Sequence, residues 1–480
     1  MNYPSLVCWA FIAWSSTCRA QTVLVLLLAS IPFAGLAMLP VALTGGLSVL
    51  PQSLFAVVLI LKVLCPQLLP LSSRLAVALR LQHLGFLALF LLVSAVATMI
   101  MPRLFLEEII VIPMRENWAA DLLRPTKANF SQFGYVTLSV LTVFAVTTIA
   151  NQPGFLKTLL TGVLVGGIVC VATGLIDLIA ASTGMSELLQ PFRNADYGFL
   201  THTEIAGVRR VVGFAPEASA YGPICVDFAA TIALLRSLFM EGRERLLATI
   251  VAALLVVMAL LSTSSTAYGG LAVLGVAYAA NWIRRAFFSS PLGQGGLMSE
   301  LLVGLGVMIA LVLVLLMHAS LFDPLLNVID ENIFKKQLTD SFVERSQWNT
   351  VAWNTVVSTW GLGIGLGSTR TSNWFAAVVS NGGVLGAVLM SIFLIQTFAK
   401  RAARQTPLTA ELLSPLKLSL LPGLAMAAVD LPGADFGPWM AVMFGVITGV
   451  AAFVPSGARS SRSSQHGLSE VGQRPLTSAS

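Results

Sequence analysis

Apolar runs of about twenty residues recur along the chain, separated by polar interruptions. They fall near 22–39, 47–64, 84–101, 132–150, 158–180, 219–239, 246–262, 267–283, 300–318, 374–398, 412–429 and 437–454. Each can cross a hydrocarbon core of about 30 Å at 1.5 Å per helical residue. In lipid the backbone must satisfy its polar groups within each segment, and alternating ten-residue strands are absent. The pattern therefore predicts α-helices rather than a barrel. The expected fold is all-α: a polytopic integral membrane protein of about twelve transmembrane helices. Residues 1–455 form the membrane domain. Ser456–Ser480 is rich in Ser, Gly and Arg, and reads as a disordered cytoplasmic tail.

The interruptions are of two kinds. One set carries Lys62, Arg74 and Arg80; Lys157; Arg236, Arg243 and Arg245; Arg284 and Arg285; and Lys400, Arg401 and Arg404. The tail adds Arg459, Arg462 and Arg474. All fall on one side if both termini are cytoplasmic, as the positive-inside rule requires. The opposite set is 102–131, 181–218 and 319–373, long and balanced in sign. Loops of that length are functional or disordered, and their Trp, Phe and Ile residues favour folded caps. No small-residue cleavage site follows a short apolar core near the N-terminus, so the first span is expected to be retained.

Composition narrows the function classes. Charged residues make up 10% of the chain, against about a quarter in soluble domains. The net charge of +6 reads as orientation charge, not a nucleic-acid surface. Cys8, Cys18, Cys65, Cys170 and Cys225 form no disulfide framework and no metal spacing. His83, His202, His318 and His466 have no metal-ligand spacing. No nucleotide loop, serine elbow or redox motif is present, and no cofactor is expected.

The outward loop 319–373 is the longest segment free for aqueous chemistry. Ser341–Thr359 lacks Pro and Gly and intersperses Trp348 and Trp353 with aliphatic residues. This suits an amphipathic helix on the membrane face, with Trp at headgroup level and Gly361 as its stop. Glu344 and Arg345 lie on it, either as site residues or as a solvated surface. Gly361, Gly363, Gly365 and Gly367 then alternate with aliphatic residues. Alternating glycine lets backbone approach a ligand and offer N–H groups to an anion; the alternative is a flexible re-entry into the membrane. Ser368, Thr369 and Arg370 extend such a site. In the second loop Arg209 and Arg210 stand on the side where positive charge is disfavoured. Their planar forks suit phosphate, and headgroup anchoring is the simpler alternative. Glu217 follows at the next span, where meeting the helix dipole would explain it equally well. Asp177 and Asp227 are the clearest carboxylates within spans, with Asp430 and Asp435 at the outer end of the last pair.

Several stretches together resemble a known family. These are Arg345-Ser-Gln-Trp348, Trp360-Gly-Leu-Gly-Ile-Gly-Leu-Gly367, Asn373-Trp-Phe and Asn381-Gly-Gly-Val-Leu-Gly386. Arg210-Val-Val-Gly-Phe-Ala-Pro-Glu217 and Leu261-Ser-Thr-Ser-Ser-Thr-Ala-Tyr268-Gly add to them. The series resembles the O-antigen polymerase and ligase superfamily over about residues 205–395. The ligase branch carries a His directly before the Asn-aromatic pair. Here that position is Ser372, which favours a polymerase of exopolysaccharide, capsule or O-antigen repeats.

The resemblance implies glycosyl transfer at the outer face of a bacterial inner membrane, from a glycan on polyprenyl pyrophosphate to a lipid-linked repeat. Its partners would be that lipid-linked oligosaccharide, the bilayer, and a chain-length regulator or export complex, with no nucleic acid. The leaving group is already good, so the protein must orient two lipid-linked sugars and stabilise charge developing on the pyrophosphate. Arginine can do so without a metal. Arg210, Arg345, Glu217 and Glu344 are the expected catalytic residues, with Asp435 a further candidate base. Arg209, Trp348, Gly363, Gly365, Arg370 and Asn373 are the expected substrate contacts. The alternatives are a ligase, a lipid-linked-oligosaccharide transporter, and a membrane scaffold without chemistry.

Overall fold

The computed structural model describes residues 3–40, 44, 48–68, 73–114, 119–195, 204–205, 208–239, 242–288, 297–298, 300, 340–400 and 407–452. The expected span at 300–318 beyond its first residue, the whole 319–339 stretch and the tail lie outside the described residues. The protein is mostly helical. Among the described residues, seven helices are long and apolar enough to cross a membrane: Leu81–Leu104, Lys127–Ile149, Phe155–Ser182, Ala218–Leu238, Gly242–Leu261, Trp374–Ala399 and Leu412–Asp430. Shorter apolar helices at Ala20–Ser30, Pro51–Pro66 and Gly437–Ala452 pack among them.

In chain order the helices are α1 (Tyr3–Thr17), α2 (Ala20–Ser30), α3 (Pro51–Leu68), α4 (Ser73–Ala78), α5 (Phe86–Leu104, entered through a π turn at Leu81–Gly85), α6 (Lys127–Ile149) and α7 (Phe155–Ser182). Then come α8 (Ala218–Leu235), α9 (Gly242–Leu261), α10 (Ser265–Phe288), α11 (Asp340–Ser358), α12 (Trp374–Ala399), α13 (Pro407–Asp430) and α14 (Gly437–Ala452). Short connectors join some neighbours, such as α9 to α10 and α13 to α14, while long folded segments join α5 to α6 and α7 to α8. Small residues set the closest crossings: Gly445 and Gly449 of α14 lie against α6, where an added Cβ would come 2.9 Å from the Val143 carbonyl and 2.7 Å from that of Thr147.

The bundle has two unlike ends. At one, helix ends and connectors hold Arg19, Lys62, Arg80, Lys157, Arg236, Arg243, Arg245, Arg284, Arg285 and Lys400. The other is capped by folded connectors. An antiparallel pair, β1 (Ile110–Val111) with β2 (Asp121–Leu122), closes the loop after α5. Its small core of Ile109, Val111 and Leu123 takes in Ile364. A second pair, β3 (Glu204–Ile205) with β4 (Val208–Arg209), precedes α8. These basic positions thus share one end; Arg401, Arg404 and the arginines of the tail lie outside the described residues.

One expectation is corrected. α1 packs antiparallel to α2, with Ser5 Oγ donating to the Ala37 carbonyl and Trp9 Nε1 to that of Met38 at the capped end. Its far end meets Lys62, whose Nζ donates to the Ser16 and Cys18 carbonyls. Tyr3 therefore lies at the capped end and Ala452 at the basic end, so the two ends of the described chain are not on one side. The fifteen residues of α1 are fewer than a minimal apolar span of about 17, which hid it in the hydropathy pattern.

Candidate functional site

The segment after α11 is built on glycines in the left-handed region: φ is 77° at Gly361, 82° at Gly363, 87° at Gly365 and 78° at Gly367. No other residue adopts that conformation without strain. The run winds inward between α5, α6 and α12. A Cβ on Gly363 would lie 2.5 Å from the Gly383 nitrogen, and one on Gly367 would lie 2.4 Å from the Ala128 carbonyl oxygen. α12 is broken at Gly383 (φ 75°, ψ 172°). The break leaves carbonyls at Ser380 and Asn381, which accept the N–H groups of Ile364 and Gly365, both at 3.0 Å. Gly363 N–H donates to Thr359 Oγ1 and Leu366 N–H to Thr98 Oγ1. The expectation that Gly363 and Gly365 offer amides to an anion is corrected accordingly: those amides are bonded within the chain, and the run acts as a former that sets the path to Arg370. Asn129 of α6 secures the same run, its Nδ2 donating to the Leu366 carbonyl and to Ser368 Oγ.

That path brings Arg370 over Trp348, with the guanidinium carbon 4.2 Å from the ring centroid. Trp348 is only 6% exposed and belongs to the inward stripe of α11 with Ala352 and Thr355. It is not a headgroup residue; Trp353 and Trp360, at 52% and 90% exposed, are placed for that role. Arg345, on the same helix, pairs with Asp430 at the end of α13 at 2.7 Å. The other Asp430 oxygen accepts from Thr266 of α10 at 3.0 Å.

The loop before α8 supplies the third arginine. Arg210 Nε donates to the Ser262 carbonyl at 3.2 Å, at the turn between α9 and α10. Burial lowers its pKa below the ordinary arginine value; Glu217, Tyr268 and Asp430 oppose that fall, and Arg345 adds to it. The same forces act on Arg370: burial lowers its pKa, Glu344 and Glu217 oppose, and Arg345 adds. Arg210, Arg345 and Arg370, from two loops and α11, therefore share one electrostatic field with Glu217, Glu344 and Asp430. Glu217 occupies the N-cap position of α8 but makes no side-chain cap. Its carboxylate instead accepts from Ser219 Oγ at 2.6 Å.

Two expected substrate contacts have other duties. Arg209 instead lies 3.8 Å from Asp177. Asp177 is a buried pin: it takes Arg193 at 2.7 Å and the N–H groups of Val212 and Gly213 at 2.8 and 3.1 Å. It holds the arginine loop to α7. Arg193 was missed by sequence reasoning, and its only signal was an in-span Asp requiring a partner. Asn373 caps α12, its Oδ1 accepting from the Phe375 and Ala376 N–H groups. Ser372 is tied to α11, accepting from Asn349 Nδ2 at 3.1 Å and donating its N–H to Asn349 Oδ1 at 3.0 Å.

Beside Arg370 opens a cavity of about 760 Å³. Glu217, Arg370, Asp435 and the Leu431–Gly433 turn form its mouth. One face of α6 forms its wall through Ala128, Gln132, Tyr135, Ser139 and Thr142, opposite Gln52 and Ala56 of α3. Fourteen residues of helix separate the ends of that stripe, about 21 Å of depth at 1.5 Å per residue. The arrangement can hold an anionic head at the rim and an elongated body running into the bundle. No protein-family profile and no curated protein matches this chain.

Proposed function

We propose that the protein polymerises polysaccharide repeats carried on polyprenyl pyrophosphate, at the membrane face where the capped end lies. In this reading the chain crosses the membrane an odd number of times, through α1 and the expected spans. The basic end is cytoplasmic by the positive-inside rule, the capped end faces outward from a bacterial inner membrane, and Tyr3 lies on the outer side. The observation that carries the reading is the deep cavity lined by Arg370, whose electrostatic field Arg345 shares. A lipid tail requires depth into the bundle, and a pyrophosphate requires charge-assisted donors at the rim.

In the reaction, Arg210, Arg345 and Arg370 stabilise charge developing on the departing pyrophosphate. Glu217, Glu344 and Asp430 hold those arginines in place. Trp348 fixes the plane of Arg370. Polymerase is favoured over ligase because Ser372, at the family's His position, is occupied by Asn349 and is not part of the cavity wall. The resemblance of residues 205–395 to the O-antigen polymerase and ligase superfamily points the same way.

The decisive test is polymerisation by purified protein of the lipid-linked repeat extracted from a strain lacking this chain. Arg210→Ala and Arg345→Ala are each expected to slow turnover by about 10²–10³, as for loss of an oxyanion donor. Arg345→Lys keeps the charge but loses the fork, and should also impair turnover. Arg209→Ala should be milder. Near-normal rates for both Arg210→Ala and Arg345→Ala would remove the arginines from the mechanism.

A further inference from the structure

Among the described residues four carboxylates belong to the arginine cluster or the cavity beside it, Glu217 and Asp435 lining the cavity itself, and they are not equivalent. Asp430 is bound to Arg345 and Thr266. Glu217 accepts from Ser219 and lies in the field of Arg210 and Arg370. Glu344 acts on Arg370. Each of these three serves as counter-ion to an arginine. Asp435, in the turn between α13 and α14, lines the cavity with no cation acting on it.

Asp435 has a neighbour with an unmet requirement. The Gln132 stem packs against Gly367, where an added Cβ would come 2.9 Å from its Cγ. Its Oε1 is buried, with no hydrogen-bond partner. A Cβ on Gly433 would lie 2.8 Å from both Gln132 Oε1 and Asp435 Oδ1, so the two acceptors flank one glycine with no side chain between them and the cavity. A buried acceptor without a donor is unfavourable by about 1–3 kcal/mol unless a ligand satisfies it. Two acceptors side by side on the wall of a cavity suit a pair of sugar hydroxyls.

Resting on the proposed reaction, we infer that Asp435 is the catalytic base for the acceptor sugar and that Gln132 positions that sugar through an adjacent hydroxyl. The acceptor hydroxyl oxygen bonds to the anomeric carbon of the donor. The bond from that carbon to the pyrophosphate oxygen breaks, and its electron pair leaves with the lipid pyrophosphate. The hydroxyl proton passes to the Asp435 carboxylate. Two hydroxyls, one on each acceptor, fix which hydroxyl attacks, so the pair also sets the linkage.

The surroundings suit a base. Burial raises the Asp435 carboxyl above the ordinary Asp value, and its own N–H and that of Gly437 draw it partly back. The charged or titratable groups that share the cavity are Glu217, Arg370 and Tyr135; none of them contributes to the shift. A base is most effective when its pKa approaches the working pH. The base must be ionised to act, so the rate is lost as pH falls through this raised value.

The test is polymerisation of the same extracted lipid-linked repeat across pH, with lipid-pyrophosphate binding measured in parallel. Asp435→Asn is expected to lower kcat by about 10²–10⁴, to abolish the acidic limb of the profile, and to leave binding intact. Gln132→Ala should raise KM for the acceptor repeat more than it lowers kcat. Asp435→Asn within a few-fold of wild type, with its acidic limb unchanged, would overturn the inference while leaving the polymerase reading standing. Loss of lipid-pyrophosphate binding in Asp435→Asn would also overturn it, by making the residue structural. A wild-type protein that extends no lipid-linked repeat would end both.

Discussion

At Ser372 a single hydroxyl distinguishes two readings of the same site. Its oxygen accepts from Asn349 at 3.1 Å, and its N–H returns the bond at 3.0 Å. Ser372→Ala removes one acceptor and keeps the backbone half of the exchange. The expected result is a loss of about 1 kcal/mol in stability, with most polymer formation retained in a cell-based assay. Complete loss of polymer at normal protein levels would give this position a chemical role. The site was partly legible at this scale. Arg210, Arg345, Arg370, Glu217 and Glu344 were readable because charge on the disfavoured side of a membrane protein needs a reason. Gln132 was not, because a neutral amide acquires meaning only from what faces it, here the Gly433 turn; Asp430 was visible as a helix-end carboxylate, but not its pairing with Arg345. Arg209 and Arg210 are indistinguishable in sequence. Arg209, the last residue of β4, reaches Asp177, while Arg210, just past the strand, bonds to the Ser262 carbonyl.

At the scale of elements, the glycine run and the break in α12 form one device. The helix gives up bonds at Gly383, and the run replaces them. Gly363→Ala would force a left-handed φ on a residue with a Cβ, at about 1–2 kcal/mol, and press that Cβ to within 2.5 Å of the Gly383 nitrogen. The expected loss is at least about 2 kcal/mol, read as a lowered thermal midpoint in detergent. Gly275→Ala is the comparison: it meets nothing within 4 Å in mid-α10 and should gain up to about 1 kcal/mol. Equal midpoints for the two variants would mean the run is pliable rather than fixed. The sequence showed that these glycines mattered but left two uses open, ligand contact or chain path. Only the acceptors of Ile364, Gly365 and Leu366 decide for path. α1 escaped notice for a different reason. Short helices in a bundle are held by neighbours, and hydropathy counts only their own residues.

Across the whole molecule, the separation of a basic end from a capped end was the most legible feature, because lipid imposes both length and charge rules on each span. The neutral wall of the cavity was invisible, since Ala56, Ser139 and Thr142 read as ordinary span residues. The arrangement predicts labelling with a membrane-impermeant thiol reagent in a background with Cys8, Cys18 and Cys65 replaced. Ser346→Cys in α11 and Tyr3→Cys should react from one side, and Lys157→Cys and Arg243→Cys from the other. Tyr3→Cys reacting together with Lys157→Cys would refute the path of α1. The cavity also has a bearing on biosynthesis. Its lining runs from Leu50 to Pro438, and the stretch Leu431–Pro438 completes it. A nascent chain therefore makes Arg345 and Arg370 before the cavity beside them is complete. A chain stopped within α13 would have most of the described helices but an unfinished cavity wall.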